Sequence, residues 1–290
     1  MRVLVYGYKG WIGSYFCEKI EQHYPDDELI YPKSERVEDC TVVREEIAAV
    51  KPDRVLCFIG RTSGPGCNTI DYLEDKLSIN VRDNLYAPLM LMKICTDLQI
   101  PLMYMGTGCI FHYDETEDGP DTTPLPVDAE PNFDGSQYSL IKGYTDRIAK
   151  MYSEYVLNVR IRMPITEWDE PKNFISKIAR YPKIVSKVNS MTYLPELWKY
   201  LYEDVRRGRT GTVNLVNSSP ATHDQILALY RQYVNPEHSY ESVENVEVLN
   251  LKSKRSNNVL QSSYPESRSL VDCIEELFKS GFHSKDSKVQ

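Results

Sequence analysis

Long apolar runs are missing from this 290-residue chain. No stretch approaches the ~20 consecutive apolar residues that a membrane-spanning helix needs, so no membrane partner is expected. A secretory leader is not expected either. Met1-Arg2 leads straight into Val3-Leu4-Val5-Tyr6-Gly7, too short for an apolar leader core and without a small-residue cleavage site. A cytoplasmic protein is the expectation. Positive charge is also in short supply: 34 Lys and Arg face 42 Asp and Glu, a formal net charge of −8. Proteins that track nucleic-acid phosphates usually carry a basic surface, so nucleic acid is not expected as a partner. A small anionic ligand stays open, because a few local cations and a helix N-terminus suffice for one. Cys-x-x-Cys is absent. The 7 cysteines (Cys17, Cys40, Cys57, Cys67, Cys95, Cys109 and Cys273) are odd in number and sit in a chain that is not small and secreted. They read as reduced thiols, not as disulfides or zinc ligands. The 5 histidines show no metal-ligand spacing, so no metal is expected. Internal repeats are absent too.

What is present is an ordinary globular balance, 41% hydrophobic and 26% charged, with an alternating rhythm of elements. Residues 2–6 form a short β-branched, apolar run of the kind that makes a buried parallel strand, and Ile12, Phe16, Cys17 and Ile20 follow at helical spacing. Further strands are expected at 28–31, 54–59, 101–105, 156–162 and 212–216. Helices are expected at 42–50, 73–98, 138–152, 173–181, 193–206 and 222–233, with Pro88 breaking or kinking the longest of them. Strands alternating with helices at this spacing predict an α/β fold with a doubly wound parallel sheet, of the Rossmann type. The rhythm loosens after Pro164. The expected division is therefore a nucleotide-binding domain over 1–163 and a smaller, mainly substrate-binding lobe over 164–290, from which 212–216 can return to the first domain.

Gly7, Gly10 and Gly13 lie between the first strand and the first helix. Glycines there permit a tight turn and let backbone approach a pyrophosphate at the helix N-terminus, where N–H groups and the helix dipole favour negative charge. The Gly-x-x-Gly-x-x-Gly spacing is that of extended short-chain dehydrogenases. NAD-binding relatives place an Asp or Glu at the end of the second strand for the ribose 2′-hydroxyl. Here that strand runs into Pro32-Lys33-Ser34-Glu35-Arg36. Lys33 and Arg36, with Lys9 in the glycine turn, suit a 2′-phosphate instead, so NADPH is the expected cofactor. Further cofactor contacts are expected at Trp11, Ile12, Ile59, Gly60, Arg61, Asn80, Met163 and Pro164.

Tyr138-x-x-x-Lys142 places a phenol and an ammonium at i and i+4 on one helical face. Such an ammonium can lower the phenol's pKa toward neutrality for proton exchange with a carbonyl or alcohol oxygen, and can hold the nicotinamide ribose. Thr107, at the end of an upstream strand, can complete a hydroxyl–tyrosine–lysine triad.

Five segments in order then give a specific resemblance: Gly106-Thr-Gly-Cys-Ile-Phe111, Arg160-Ile-Arg-Met-Pro-Ile165, Asn173-Phe-Ile-Ser-Lys-Ile178, Asn189-Ser-Met-Thr192 and Arg255-Ser-Asn-Asn258. With the Gly7 turn they span nearly the whole chain. Together they resemble bifunctional UDP-4-keto-6-deoxyglucose 3,5-epimerase/4-reductases, as in the C-terminal part of plant UDP-rhamnose synthases and their giant-virus relatives. The segment 60–66 is richer in glycine than the plant counterpart, which implies a somewhat different sugar contact.

The resemblance implies a UDP-sugar substrate and two reactions in one site. A 4-ketone acidifies the C3 and C5 protons, which a base removes and an acid returns from the opposite face; hydride from NADPH then reduces the ketone. Thr107, Tyr138 and Lys142 map onto the reductive triad. Cys109 maps onto the acid/base thiol of related epimerase/reductases, with Lys177 as its partner. Thr62, Gly64, Asn173, Phe174, Asn189, Met191, Thr192 and Arg255 are expected to touch sugar or diphosphate, Arg255 being the best suited to bridge phosphate oxygens. A homodimer through helices at 85–98 and 138–152 is implied by the same resemblance. Two alternatives stay open: a reductase without epimerase activity, like dTDP-4-dehydrorhamnose reductase, and a non-catalytic NADP-binding subunit of the same fold, like the regulatory subunit of methionine adenosyltransferase.

Overall fold

The computed structural model describes residues 1–33, 37–116, 119–243 and 249–283. Its first half follows the expected order: β1 (Arg2–Tyr6), α1 (Trp11–His23), β2 (Glu28–Ile30), α2 (Cys40–Val50) and β3 (Arg54–Cys57). A 3₁₀ turn at Ile70–Leu73 precedes α3 (Leu77–Val81), a π-helical turn (Arg82–Tyr86) and α4 (Ala87–Asp97). Then come β4 (Leu102–Thr107), a small antiparallel pair β5 (Glu115–Thr116) and β6 (Gly119–Pro120), α5 (Gln137–Met151) and β7 (Val156–Ile161). The rest of the chain comprises β8 (Pro164–Ile165), α6 (Phe174–Ile178), β9 (Lys183–Ile184), β10 (Thr192–Tyr193), α7 (Leu194–Arg207), β11 (Gly211–Leu215), α8 (His223–Tyr233), β12 (Glu241–Ser242) and α9 (Leu270–Ser280).

Six parallel strands form the main sheet in the order β11-β7-β4-β3-β1-β2. Alternation along β1 shows why it is covered on both faces. Val3 and Val5 pack with Phe16 and Ile20 of α1 and with Leu197, Trp198 and Leu201 of α7. Leu4 and Tyr6 point the other way, into a cluster with Val43 and Ile47 of α2 and Leu91 and Ile94 of α4. Period-two side chains on a strand, met by period-3.6 stripes on helices, give the three-layer arrangement. The strand expected at 212–216 joins the main sheet as β11, at its edge beside β7, and α7 before it covers one face of that sheet. A third cluster, built on Ile175, Ile184, Ile226, Ile274 and Phe278, packs α6, α8 and α9 together outside the sheet.

The long helix expected over 73–98 is three consecutive helical pieces. Pro88 lies at the start of α4, directly after the π turn. The wider turn accommodates the missing N–H and the bulk of the proline ring without ending the helix. Thr145 Oγ1 of α5 donates to the carbonyl of Asn84 in that turn at 2.6 Å. The helix α9 is absent from the sequence expectations.

Candidate functional site

Chain order reverses beside β1: it runs β1 to β2 on one side and returns to β3 on the other, which opens a crevice at the carboxyl ends of β1 and β3. Gly7 closes β1 there with φ +79°, and a Cβ on it would lie 2.8 Å from the Phe58 carbonyl carbon. A Cβ on Gly13 would lie 2.3 Å from the Gly7 oxygen. Both glycines are therefore required by backbone against backbone. The crevice divides into two adjoining cavities. The larger, of about 920 Å³, is lined by Gly10, Trp11, Ile12 and Gly13 on one side, by Ile59–Thr62 and Asn84, and by Thr107, Cys109, Tyr138 and Lys142; the later chain contributes Arg162–Pro164, Phe174, Lys177, His223 and Arg255. The smaller, of about 300 Å³, is lined by Gly7, Lys9, Gly10, Pro32, Glu38, Arg61, Arg82 and Asp83.

The sheet side of the site is rigid. Ser136 caps α5, its hydroxyl accepting from Ser139 N at 3.0 Å. Asp146 on α5 accepts from Arg160 Nε at 2.8 Å and Nη2 at 2.6 Å, and from Asn158 Nδ2 at 2.7 Å, all buried. This ties α5 to β7 and sets the height of Tyr138 and Lys142 above β4. Breaking one partner of such a buried pair typically costs about 3–5 kcal/mol. Thr107 ends β4, and its Oγ1 accepts from Cys109 N at 3.1 Å.

Burial raises the Tyr138 phenol, helped by its proximity to Cys109; Thr107 and Arg162 pull it the other way. Burial brings Lys142 down to about 8. The expectation that Lys142 acidifies Tyr138 is corrected here. Lys142 Nζ donates to Tyr104 OH and, at 3.4 Å, to Met105 O, and sits 4.5 Å from the Tyr104 ring centre. The i,i+4 spacing puts both side chains at one cavity wall, but a tyrosine of β4 engages the ammonium.

Several expected cofactor contacts meet at the glycine turn. Asn84, buried in the π turn, accepts from Arg61 N at 2.8 Å and donates to Arg61 O at 2.9 Å, fixing the backbone after β3. Asn80 stands behind it, accepting from Asn84 Nδ2 at 2.8 Å, and lines neither cavity. Lys9 lines the smaller cavity, whereas Lys33 is exposed and outside both. Arg36 lies outside the described residues. Arg61 and Arg82, gathered on Asp83 at 2.5 and 2.7 Å, add cationic lining to the smaller cavity beside Lys9. Met163 lines the larger cavity at φ +40°, a left-handed conformation rare for a residue before proline.

Among the expected substrate contacts, Thr62, Phe174 and Arg255 reach the cavity, as does Lys177. Burial lowers Lys177, and the nearby charges of Lys172 and Arg255 add to the effect. Arg255 is engaged by Asp71, with contacts of 3.1 and 2.8 Å. Burial alone would raise Asp71, but bonds from Arg255 and Ser253 hold it well below the usual carboxylate range. Gly64, Asn173, Asn189, Met191 and Thr192 do not line the cavity. Asn173 caps α6 and donates to Trp168 O at 2.8 Å. Thr192 bonds the backbone of Arg162 and Leu215. Met191 is fully buried among apolar side chains, Gly64 sits against the Tyr72 ring, and Asn189 holds the Arg162 guanidinium.

Sequence reading assigned no role to Arg162 or His223. Arg162 Nη1 donates to Cys109 Sγ at 3.3 Å from a wholly buried position. His223 begins α8, stacks obliquely on Phe174 at 5.3 Å and bonds Val185 O through Nδ1 at 2.8 Å. A carbonyl can only accept, so Nδ1 carries the proton and Nε2 is left as a bare lone pair with no partner. Burial lowers this imidazole to about 4, so it is neutral at pH 7. Asn258 was noticed only as part of a motif, and the structure gives its purpose. It donates to Gly108 O at 2.9 Å and Phe111 O at 2.8 Å, pinning the loop that carries Cys109.

No protein-family model matches the chain. Among individual proteins, mimivirus L780 is 42% identical over 285 residues, covering 96% of this chain and 97% of its own. The crystal structure of L780, described as a UDP-rhamnose synthase, superposes with a TM-score of 0.89 over 96% of this chain and 99% of that one. An Arabidopsis bifunctional dTDP-4-dehydrorhamnose 3,5-epimerase/reductase is 34% identical over 281 residues, 93% of this chain and 90% of that protein. The chain belongs to this family of nucleotide-sugar 3,5-epimerase/4-reductases. A trifunctional Arabidopsis relative, 33% identical, matches 94% of the chain, which spans 41% of that longer protein. The crystal structure of a Bacillus anthracis dTDP-4-dehydrorhamnose reductase in complex with NADP shares the fold, with a TM-score of 0.79 over 96% of this chain and 99% of that one at 15% identity. Thr107, Tyr138 and Lys142, a hydroxyl–tyrosine–lysine set, line one cavity together with the Cys109 thiol. No helix among the described residues is long and apolar enough to cross a membrane, and no cluster of metal-ligating side chains occurs among them.

Proposed function

We propose that the protein converts UDP-4-keto-6-deoxy-D-glucose to UDP-L-rhamnose by 3,5-epimerisation and NADPH-dependent reduction of the C4 ketone. The observation that carries this reading is the meeting of Cys109 with Thr107, Tyr138 and Lys142 in one cavity. The division into a nucleotide-binding domain over 1–163 and a mainly substrate-binding lobe over 164–290, with β11 returned to the first, belongs to the same proposal.

The glycine turn fits a dinucleotide, because Gly7 and Gly13 leave a backbone cradle that any Cβ would fill. Gly7, Gly10, Trp11, Ile12 and Gly13 would hold the pyrophosphate; Lys9, Arg61 and Arg82 would meet a 2′-phosphate; Ile59, Gly60, Met163 and Pro164 would flank the nicotinamide. The chemistry this group supplies when bound is hydride donation to C4. Tyr138 gives its proton to the C4 oxygen as the alkoxide forms, Thr107 orienting that oxygen. Lys142, released from Tyr104, holds the ribose. Before reduction, the ketone lets C3 and C5 lose protons. Cys109 and Lys177 act as the acid/base pair on opposite faces of the sugar. His223 accepts a hydrogen bond from a sugar hydroxyl through Nε2, and Arg255 and Lys172 meet the diphosphate end.

A homodimer is part of the proposal. Tyr86, Tyr144 and Met151 are exposed on the helices expected to form it. The test is a substrate panel of UDP- and dTDP-4-keto-6-deoxyglucose with NADPH or NADH, read by product analysis. Turnover with NADPH and the UDP-sugar to a rhamnose product is the expected result. Consumption of no reduced nicotinamide with either sugar contradicts the proposal.

A further inference from the structure

The cation beside Cys109 carries an inference that deepens the proposed function and rests on it. Arg162 follows the last residue of β7 with a side chain 1% exposed. Its Nη1 donates to Cys109 Sγ at 3.3 Å and Ser256 Oγ at 2.8 Å; its Nη2 donates to Asn189 Oδ1 and, at 3.1 Å, to Ser256 O. Nε has no partner. Among the described residues no carboxylate forms an ion pair with Arg162. The contrast with Arg160, two residues earlier and equally buried, is direct, because Asp146 neutralises that one. A buried guanidinium without a counter-charge is strongly unfavourable, and it draws negative charge to whatever group it touches. Across the cavity, His223 feels the Arg162 charge and is neutral. The group in contact that can carry a negative charge is the sulfur.

We infer that Arg162 is the positioning residue of the epimerisation centre. It fixes Cys109 Sγ on the cavity wall and balances the charge on sulfur whenever sulfur has given up its proton. The thiolate takes the proton from the carbon next to the ketone. The C–H electron pair becomes the carbon–carbon double bond of the enolate, and the carbonyl π pair moves to oxygen. As the enolate collapses, the Lys177 ammonium delivers a proton to the same carbon from the opposite face. Cys109 is left as thiol and Lys177 as amine, and proton exchange with water resets both. Arg162 holds the sulfur in the same place through both of the epimerisations. Asn189 and Ser256 act one step further back, holding the guanidinium in place.

The test reads Cys109 without any sugar, so it stands apart from the substrate assignment. Full-length protein is alkylated with iodoacetamide at pH 7 and each cysteine is followed by peptide mass spectrometry. The rate at Cys109 in the wild type is the reference for the variants, because the thiolate is the nucleophile. Arg162→Met slows Cys109 by about tenfold or more, whereas Arg162→Lys, which keeps the charge, retains at least roughly a third of the rate. Millimolar guanidinium chloride restores part of the Arg162→Met rate. Equal Cys109 rates in wild type and Arg162→Met overturn the inference. Arg162→Lys decides the matter if Arg162→Met does not fold: a loss of more than roughly tenfold at Cys109 despite the retained charge overturns the inference. In a second arm, Arg162→Met loses far more of the deuterium exchange at C3 and C5 than of the reduction of sugar that has already been epimerised. Equal loss of both overturns the inference in favour of a structural role. A wild type that alkylates as expected but neither exchanges nor reduces would sink the substrate reading and leave the ion pair standing.

Discussion

The two walls of the cavity are built in different ways. One is the rim of a parallel sheet: Gly7, Thr107, Tyr138 and Lys142 sit at strand ends or on the helix that the Asp146–Arg160 pair locks to the sheet. The other comes from the chain after residue 162, where two-residue strands and the five-residue α6 bring Lys177, His223 and Arg255 to the same space. Cys109 lies where they meet. Its loop starts at β4, yet it is held by Asn258 and Arg162 from farther along the chain. The sheet rim sets hydride chemistry in a fixed frame, and the later wall brings proton chemistry to it. The two should be separable by substitution.

The largest separation is expected from Tyr138→Phe. Loss of a general acid should lower NADPH-dependent reduction by about 10³-fold while deuterium from solvent still enters C3 and C5. Mass spectrometry of the recovered keto-sugar reads both, and a fully active variant removes Tyr138 from the reaction. Cys109→Ser inverts the pattern. Exchange should fall by about 10²-fold, with reduction of an already epimerised 4-keto sugar kept within roughly threefold. Undiminished deuterium incorporation would take Cys109 out of the mechanism.

Lys142 separates the walls by pH. With its folded value near 8, raising the pH through 8 strips its charge, so kcat/KM for reduction should fall about tenfold per unit above that point. The free protein's stability moves the other way. The folded value lies below the model-peptide value of 10.5, so this group's burial penalty is present below pH 8 and fades between 8 and 10.5. Lys142→Arg should abolish the alkaline fall, and an unchanged profile would contradict the assignment. The smallest effect is on the later wall. His223→Phe should raise KM by up to about tenfold with little change in kcat, as expected for one lost hydrogen bond to a substrate hydroxyl. A change confined to kcat would mean that His223 moves protons instead.

The same contrast explains what could be read in the sequence. The sheet rim announces itself locally: an apolar strand, a glycine turn and a helix succeed one another in residues 2–23, and Tyr138 and Lys142 share a helical face four residues apart. Arg162 stood in a quoted motif, yet nothing in Arg-Met-Pro says which buried group its guanidinium will meet. Asn173, Asn189 and Thr192 stood in similar motifs. Their polarity suggested substrate contacts, but they satisfy backbone and buried guanidinium instead, because a stretch of chain with very short strands needs side chains to complete hydrogen bonds that a regular sheet makes for itself. His223 had no motif at all; its tautomer depends on a carbonyl 38 residues away. The helix α9, by contrast, was legible: Leu270, Ile274, Leu277 and Phe278 recur at helical spacing behind a Ser269 cap.

The most direct test of the central claim is a single reaction in D₂O with UDP-4-keto-6-deoxyglucose and NADPH, analysed by NMR of the product. The account predicts UDP-L-rhamnose with deuterium at C3 and C5 and protium at C4. A product that keeps the gluco configuration and carries no deuterium at C3 or C5 would contradict it.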